Sequence, residues 1–260
     1  MTLPEISPAP LTKLWIYTNY DCNLRCSYCV AESSPQAARR ALSPAEVRQL
    51  VDEAAALGFD QLYFTGGEPF LLAEIYALLD YAVQRLPVTV LTNAMLLRGR
   101  RLEQLRSLPR QNLTVQVSLD GASPAQHDLY RGPGSWARTV AGLQGLLEHG
   151  FRVRIATTLT PVSQAAVAEL CAFHQGLGIP EDDHLLRPLA RRGFSQAGVE
   201  VCKQTLAPEL TVCQDGVYWH PLSTDPDMLV RPAIFPLAEA VSQARAELQA
   251  FSRAELKTFQ

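Results

Sequence analysis

The sequence predicts an α/β fold built on a parallel sheet. Six short runs rich in β-branched and aromatic residues alternate with segments whose apolar residues recur at helical spacing, the pattern of repeated strand–helix units. Helix punctuation falls between those runs, with Ser43-Pro44 opening and Gly58 closing one segment and Gly150 closing another. The cysteine and polar clusters of the first half follow directly after strand-like runs, where parallel sheets bind their ligands. Right-handed crossovers curl such a chain into a full or partial barrel, or into a doubly wound sheet.

The elements follow in order. Residues 1–12, with Pro4, Ser7, Pro8 and Pro10, read as an irregular lead-in. Leu14-Trp15-Ile16-Tyr17-Thr18 is the first strand. Ser43-Pro44-Ala45-Glu46 supplies an N-cap, a proline at the first helical position and an early acid; that helix runs to about Leu57 and stops at Gly58. Gln61 to Thr65 is the second strand, and Ala73 to Arg85 is a helix with its apolar stripe at Ile75, Leu78, Leu79, Ala82 and Val83. Val88 to Thr92 is the third strand, Arg101 to Leu108 a short helix, and Leu113 to Leu119 the fourth strand. Ser135 to His149 is the next helix, Val153 to Leu159 the fifth strand, and Ser163 to Gln175 a helix capped by Ser163. His184 to Leu189 is a sixth, weaker strand. Beyond Gly193 the pattern breaks into short strands and turns over Val199 to Val230, with Asp215-Gly216 as a hairpin signal. Pro236 to about Lys257 is a closing helix.

Bulk properties exclude several classes. The 260 residues are 47% hydrophobic, enough for one full core. Net charge is -3, and the short runs Arg39-Arg40, Arg98 to Arg101 and Arg191-Arg192 read as exposed helix ends and loops, so no nucleic-acid partner is expected. Met1 to Glu5 carry neither a basic region nor an apolar run, so no signal peptide is expected. No stretch approaches the roughly 18 consecutive apolar residues of a membrane span. The expected location is cytoplasmic, with no membrane partner. In that reducing setting the six cysteines are not expected to pair as disulfides.

Three of those cysteines crowd into Cys22-x-x-x-Cys26-x-x-Cys29, a spacing that suits metal ligation. Thiolates are soft ligands for iron–sulfur clusters and for zinc. A structural zinc site takes four ligands, and here Cys202, Cys213 or His220 are the distant candidates for a fourth. A cubane cluster held by three thiolates leaves one iron open, and open positions are where catalysis happens. On the cysteines alone, zinc and iron–sulfur stand level.

The surrounding motifs separate them. Cys22-x-x-x-Cys26-x-x-Cys29 after the first strand, with Tyr28 before the third cysteine, resembles the signature of radical S-adenosylmethionine (SAM) enzymes. Gly66-Gly67-Glu68-Pro69 after the second strand, Thr92-Asn93 after the third and Ser118-Leu119-Asp120-Gly121 at the end of the fourth belong to the same likeness. The run from Asp120 to Gly145, with His127-Asp128, Tyr130-Arg131-Gly132 and Trp136, resembles the branch of peptide and sulfatase maturases and haem-pathway enzymes. The resemblance covers roughly residues 12 to 190 and implies a partial (β/α)6 TIM-like barrel with a short C-terminal α+β extension. The expected division is a lead-in over 1–12, a barrel core over 13–192 and an extension over 193–260.

The resemblance also implies chemistry. In this family Cys22, Cys26 and Cys29 hold one [4Fe–4S] cluster, and SAM chelates the open iron. One-electron reduction cleaves SAM to methionine and a 5′-deoxyadenosyl radical that takes hydrogen from the substrate. Gly66 and Gly67 then let the backbone approach the methionine moiety, with Glu68 a further polar contact or a helix-start acid. Tyr28 is expected against adenine, Asn93 and Ser118 at ribose or carboxylate, Asp120 at the ribose or shaping its turn, and Arg131 at the SAM carboxylate. Arg187, on the late strand, is a candidate for adenine or substrate. The electron donor implied is a flavodoxin or ferredoxin.

Relatives in this branch often carry cysteine-rich extensions with auxiliary clusters. Val212 to Leu222 resembles a trimmed version, but Cys202 and Cys213 cannot supply four thiolates, so no auxiliary cluster is expected. Both read as buried apolar residues, and Cys171 as core on a helix face. A peptide or small-protein substrate is favoured slightly by the Asp120–Gly145 likeness. The short stretch before the first strand, with no leader-binding segment, lowers it. A tetrapyrrole or nucleoside-type small molecule is the alternative. A zinc-binding interaction protein is a remote one, and a non-catalytic SAM binder is disfavoured by the intact motifs.

Overall fold

A computed structural model describes residues 11–258. Period-two alternation along the strands sorts their residues between two layers. In β1 (Lys13–Tyr17), Leu14 and Ile16 are fully buried in the main apolar core, and Trp15 and Tyr17 turn to an interior cavity. In β2 (Gln61–Thr65), Leu62 and Phe64 join that core, and Tyr63 and Thr65 line the cavity. The pattern continues through β3 (Val88–Thr92), β4 (Leu113–Ser118), β5 (Arg152–Leu159) and β6 (His184–Pro188), where Val90, Val115 and Ile155 are core and Leu91, Arg154 and Arg187 line the cavity.

Helices cover the apolar face. α1 (Pro44–Ala56) starts at Ser43, whose hydroxyl accepts from the Glu46 amide at 3.2 Å while the Glu46 carboxylate accepts from the Ser43 amide at 2.7 Å, closing a capping box. Its stripe of Val47, Leu50, Val51 and Ala54 is buried. α2 (Ile75–Val83), α3 (Arg100–Arg106), α4 (Pro124–Arg131), α5 (Ser135–Glu148), α6 (Pro161–Ala165) and α7 (Val167–Gly176) complete the layer.

The six strands run parallel in chain order, each paired with the next. In a flat sheet β1 and β6 would stand five strand spacings, about 24 Å, apart. Instead the Arg187 guanidinium on β6 lies 5.9 Å from the Trp15 ring on β1. The sheet is therefore curled into a trough whose mouth lies at the carboxyl ends of the strands. β7 (Thr211–Cys213) adds in parallel to the far side of β1, and β8 (Gly216–Tyr218) and β9 (Leu229–Arg231) follow antiparallel. The β7–β8 turn requires Gly216, with φ +139° and a Cβ position 2.5 Å from the Arg231 carbonyl. α8 (Leu237–Thr258) closes the described chain.

The predicted α/β partial barrel with an α+β extension is the fold observed. Some details differ. The helix expected over Ser163 to Gln175 is two helices, and its cap is Thr160, not Ser163: Pro161 takes the first helical position, and the Thr160 hydroxyl accepts from the Ser163 amide at 3.2 Å. α4 was not expected, because its residues lack an apolar stripe and bury His127 and Arg131 instead. Cys171 is not core. The buried stripe of α7 is Leu170 and His174, and Cys171 sits beside it, half-buried, with its sulfur 3.7 Å from Nδ1 of His184. Cys202 is half-buried in a surface turn with Thr205, whereas Cys213 is in the core as expected. Pro4, Ser7, Pro8 and Pro10 lie outside the described residues. Among those residues no helix is long and apolar enough to cross a membrane.

Candidate functional site

The loops after β1 and β2 are stitched together by backbone. Thr18 donates to the Thr65 carbonyl at 2.9 Å, Gly67 to Asn19 at 2.8 Å and Glu68 to Asp21 at 3.0 Å. This contact is close enough to require glycine. A Cβ on Gly66 would lie 2.3 Å from the Asn19 carbonyl oxygen, and one on Gly67 would lie 2.1 Å from that of Asp21. Gly66 also holds φ at +141°. Both glycines line the cavity, but the space their missing side chains leave is filled by the cysteine-bearing loop.

That loop is braced on its other side too. Ser27 donates its amide to the Tyr130 carbonyl at 2.9 Å, at the end of α4. Phe194 donates to the Cys29 carbonyl at 3.1 Å. Tyr28, between the second and third cysteines, donates its hydroxyl to Asp120 Oδ2. The same oxygen accepts from Arg131 Nε at 2.6 Å, and Oδ1 accepts from the Thr158 amide at 2.9 Å. Burial works against the Arg131 cation, but Asp120, Tyr28 and Cys26 beside it together outweigh that and hold its pKa well above the ordinary value. Burial likewise keeps the Tyr28 hydroxyl protonated, its pKa well above the usual tyrosine range.

Cys22, Cys26 and Cys29 line one cavity of about 220 Å³, together with Gly66, Gly67, Asn93, Ser118 and Arg131. Burial pushes the Cys22 thiol up to about 12 and the Cys26 thiol up to about 11. Buried thiols of that kind become thiolates only when a cation replaces their protons. Among the described residues no group of three or more His, Cys, Asp or Glu closes around a single metal ion. Cys202, Cys213 and His220, the candidates for a fourth zinc ligand, do not line this cavity. Three soft donors arranged around an open volume fit a cluster with one free corner better than a closed zinc site.

The predicted site residues divide into two groups. Tyr28, Gly66, Gly67, Asn93, Ser118 and Arg131 line the cavity with the three cysteines. Ser118 Oγ makes no hydrogen bond among the described residues and is free for a ligand. Asn93 is partly committed, donating Nδ2 to Asn23 at 2.8 Å and accepting at Oδ1 from the Met95 amide at 3.0 Å. Glu68 and Asp120 do not line the cavity. The fully buried Glu68 carboxylate accepts from the Phe70 amide at 3.1 Å, Thr92 Oγ1 at 2.8 Å and the Asn93 amide at 2.9 Å. Burial raises its pKa to about 7. It ties the glycine turn to the end of β3, just as Asp120 ties the cysteine loop to β4 and β5.

Thr158, Leu189 and Ala190 also line the cavity and were not singled out in the sequence. Only the strand-end rule could have flagged them, Thr158 near the end of β5 and Leu189 and Ala190 directly after β6. Arg187 lines it as well and also lines a second, adjoining cavity of about 600 Å³ inside the trough. Trp15, Tyr63, Lys13, Glu209 and His220 face that inner space.

A family model described as "Radical SAM superfamily" matches residues 16–173. The AdoMet-dependent heme synthase of Oleidesulfovibrio alaskensis is 34% identical over 161 residues, 61% of this chain and 41% of that protein. The antilisterial bacteriocin subtilosin biosynthesis protein AlbA of Bacillus subtilis is 35% identical over 176 residues, 66% of this chain and 38% of that protein. The chain thus spans less than half the length of these curated relatives. The solved structure of anSMEcpe with bound AdoMet superposes with a TM-score of 0.69 at 14% identity, covering 91% of this chain and 82% of that one, a likeness of fold. With its three cysteines and its glycine turn around one cavity, and with a family match over more than half its length, the chain belongs to the radical SAM superfamily, enzymes that use a [4Fe–4S] cluster and SAM.

Proposed function

We propose that the chain is the radical-generating core of an enzyme, with Cys22, Cys26 and Cys29 holding one [4Fe–4S] cluster. The observation that carries this is the shared cavity of the three thiols, Gly66, Gly67 and the free Ser118 hydroxyl. When bound, cluster and SAM supply the one-electron cleavage that yields methionine and a hydrogen-abstracting 5′-deoxyadenosyl radical. The chain's residues position and shield. Tyr28, Asn93, Ser118 and Arg131 line the cavity where they would contact SAM, and the backbone of Gly66 and Gly67 would meet its amino-acid end. Glu68 and Asp120 act through their neighbours by holding the glycine turn and the cysteine loop in place. The apolar wall of Leu24, Leu91 and Leu189 keeps water from the reacting carbon. The barrel core is assigned to residues 13–192 and the extension to 193–260, with a flavodoxin- or ferredoxin-type electron donor and a cytoplasmic location.

The substrate lies in the inner cavity. A peptide or small protein is the first reading, supported by the likeness to a bacteriocin biosynthesis protein. A tetrapyrrole-type small molecule is the second, supported by the likeness to heme synthases. Anaerobic reconstitution tests the core claim. The wild-type chain should bind about four irons, show the brown charge-transfer absorbance and release 5′-deoxyadenosine from SAM under reduction. Cys26→Ala should lose the absorbance and the cleavage. A Cys26→Ala protein that retains both sinks the assignment.

A further inference from the structure

Among the described residues that line the inner cavity, one cation has no ion pair or hydrogen bond of its own; Glu209 lies near enough to favour its charge, but burial outweighs that. The cavity's other charges are matched. Glu209 accepts from Lys13 Nζ at 2.8 Å and from Trp15 Nε1 at 2.7 Å, so both its oxygens are engaged. Arg154 pairs with Asp183 at 3.3 Å. His220 accepts at Nδ1 from the Leu222 amide at 3.2 Å, and burial lowers its pKa to about 4, so it is neutral at pH 7. Arg187 remains. Its guanidinium faces the Trp15 ring at 5.9 Å, and Trp15 in turn stacks on Tyr63 with centroids 4.1 Å apart and planes 19° from parallel. Among the described residues it makes no hydrogen bond or ion pair, and it lines both the inner cavity and the cysteine cavity. A fork of five donors on an apolar wall is costly without an anion, and a carboxylate fits it bidentately.

We propose that Arg187 is the carboxylate-binding residue of the substrate chamber, gripping an acidic group whose flat or apolar body lies on the Trp15–Tyr63 wall. This rests on the reading that the adjoining cavity holds SAM, and it places the acidic group on the side of the chamber facing the radical. The acidic group is either a peptide carboxylate or that of a small organic acid, and both present the same two oxygens. Leu185 and Leu186 on the same strand, with Leu206, supply the apolar rim.

The test uses the reconstituted protein with SAM bound, so that the cofactor occupies its own pocket. Two carboxylates are titrated by calorimetry and ligand-observed NMR, blocked glutamate (N-acetyl, N-methylamide) for the peptide source and 3-phenylpropionate for the small-acid source. Blocked glutamine and 3-phenylpropionamide are their neutral partners. At least one carboxylate should bind about tenfold or more tighter than its amide, and Arg187→Gln should erase that preference. Arg187→Lys, which keeps the cation but not the fork, should retain part of it. Arg106→Gln, on the exposed outer face, should retain all of it. Equal binding of acid and amide by the wild-type chain overturns the proposal, as does equal behaviour of the lysine and glutamine variants. Loss of SAM affinity by Arg187→Gln, with the carboxylate preference intact, assigns Arg187 to the cofactor and also overturns it. A wild-type chain that binds no cluster yet prefers the carboxylate defeats the cofactor assignment alone.

Discussion

Replacing Asp120 with Asn keeps the side-chain shape and removes one buried charge. Asp120 is fully buried, and its partner Arg131 is 8% exposed at the side chain, so solvent screens the pair very little. Three donors converge on this carboxylate: Arg131 Nε at 2.6 Å, the Thr158 amide at 2.9 Å and the Tyr28 hydroxyl. Neutralising it leaves the guanidinium buried without a counter-ion, a change that costs about 3–5 kcal/mol. For a domain of this size that lowers the thermal midpoint by roughly 6–20 °C. The exposed pair Arg85–Asp52, with side chains 33% and 52% exposed, is the internal comparison; Asp52→Asn should cost about 1 kcal/mol or less. Urea unfolding followed by circular dichroism reads both. The double variant Asp120→Asn/Arg131→Met removes the stranded cation, so its loss should fall short of the two single losses summed by about 1 kcal/mol or more. Tyr28 is released as well, and the Asp120→Asn protein should retain less iron after gel filtration. A cost under about 1 kcal/mol, or strict additivity of the two changes, refutes the view that this pair anchors the cysteine loop.

Gly67→Ala places a methyl 2.1 Å from the Asp21 carbonyl oxygen, backbone against backbone, so the two loops must part. Reconstitution should then give well under half the wild-type iron, while Gly176→Ala, whose Cβ meets nothing within 4 Å, should not change it. His174 is buried with neither ring nitrogen partnered, and burial lowers its pKa to about 3. A histidine depressed below its unfolded value stabilises the fold fully above about pH 6.5, and that contribution is lost as pH falls toward the folded value. His127 and His220, each lowered to about 4 by burial, act in the same direction. Stability should therefore fall between pH 6.5 and about 3, and His174→Leu should flatten that fall with little loss at pH 7.5. Denaturation midpoints across the pH series check this; a slope unchanged in His174→Leu would refute it.

The strand–helix alternation, the helix caps at Ser43 and Gly58, and the cysteine and glycine motifs were legible because each is local. Period-two and helical spacing, a hydroxyl before a proline, and thiols three and four residues apart leave their mark within a few positions. Helix α4 was not legible, because what it buries is the polar pair His127 and Arg131, and polar burial is decided by distant partners. The same reason separates the two acids from the other site residues. Glu68 and Asp120 sit at ligand-like positions in the sequence, yet their oxygens are taken by backbone and side-chain donors from β3, β5 and α4. Likewise, the requirement for Gly66 and Gly67 comes from Asn19 and Asp21, more than forty positions earlier. The pairing of Arg187 with the Trp15 wall needs the curl of six strands, which brings together residues 172 positions apart. Short-range chemistry thus determined what the chain can bind. Which of its polar groups remain free to do so depends on how the sheet curves and which partners it brings within 3 Å, and that was settled only in the tertiary structure.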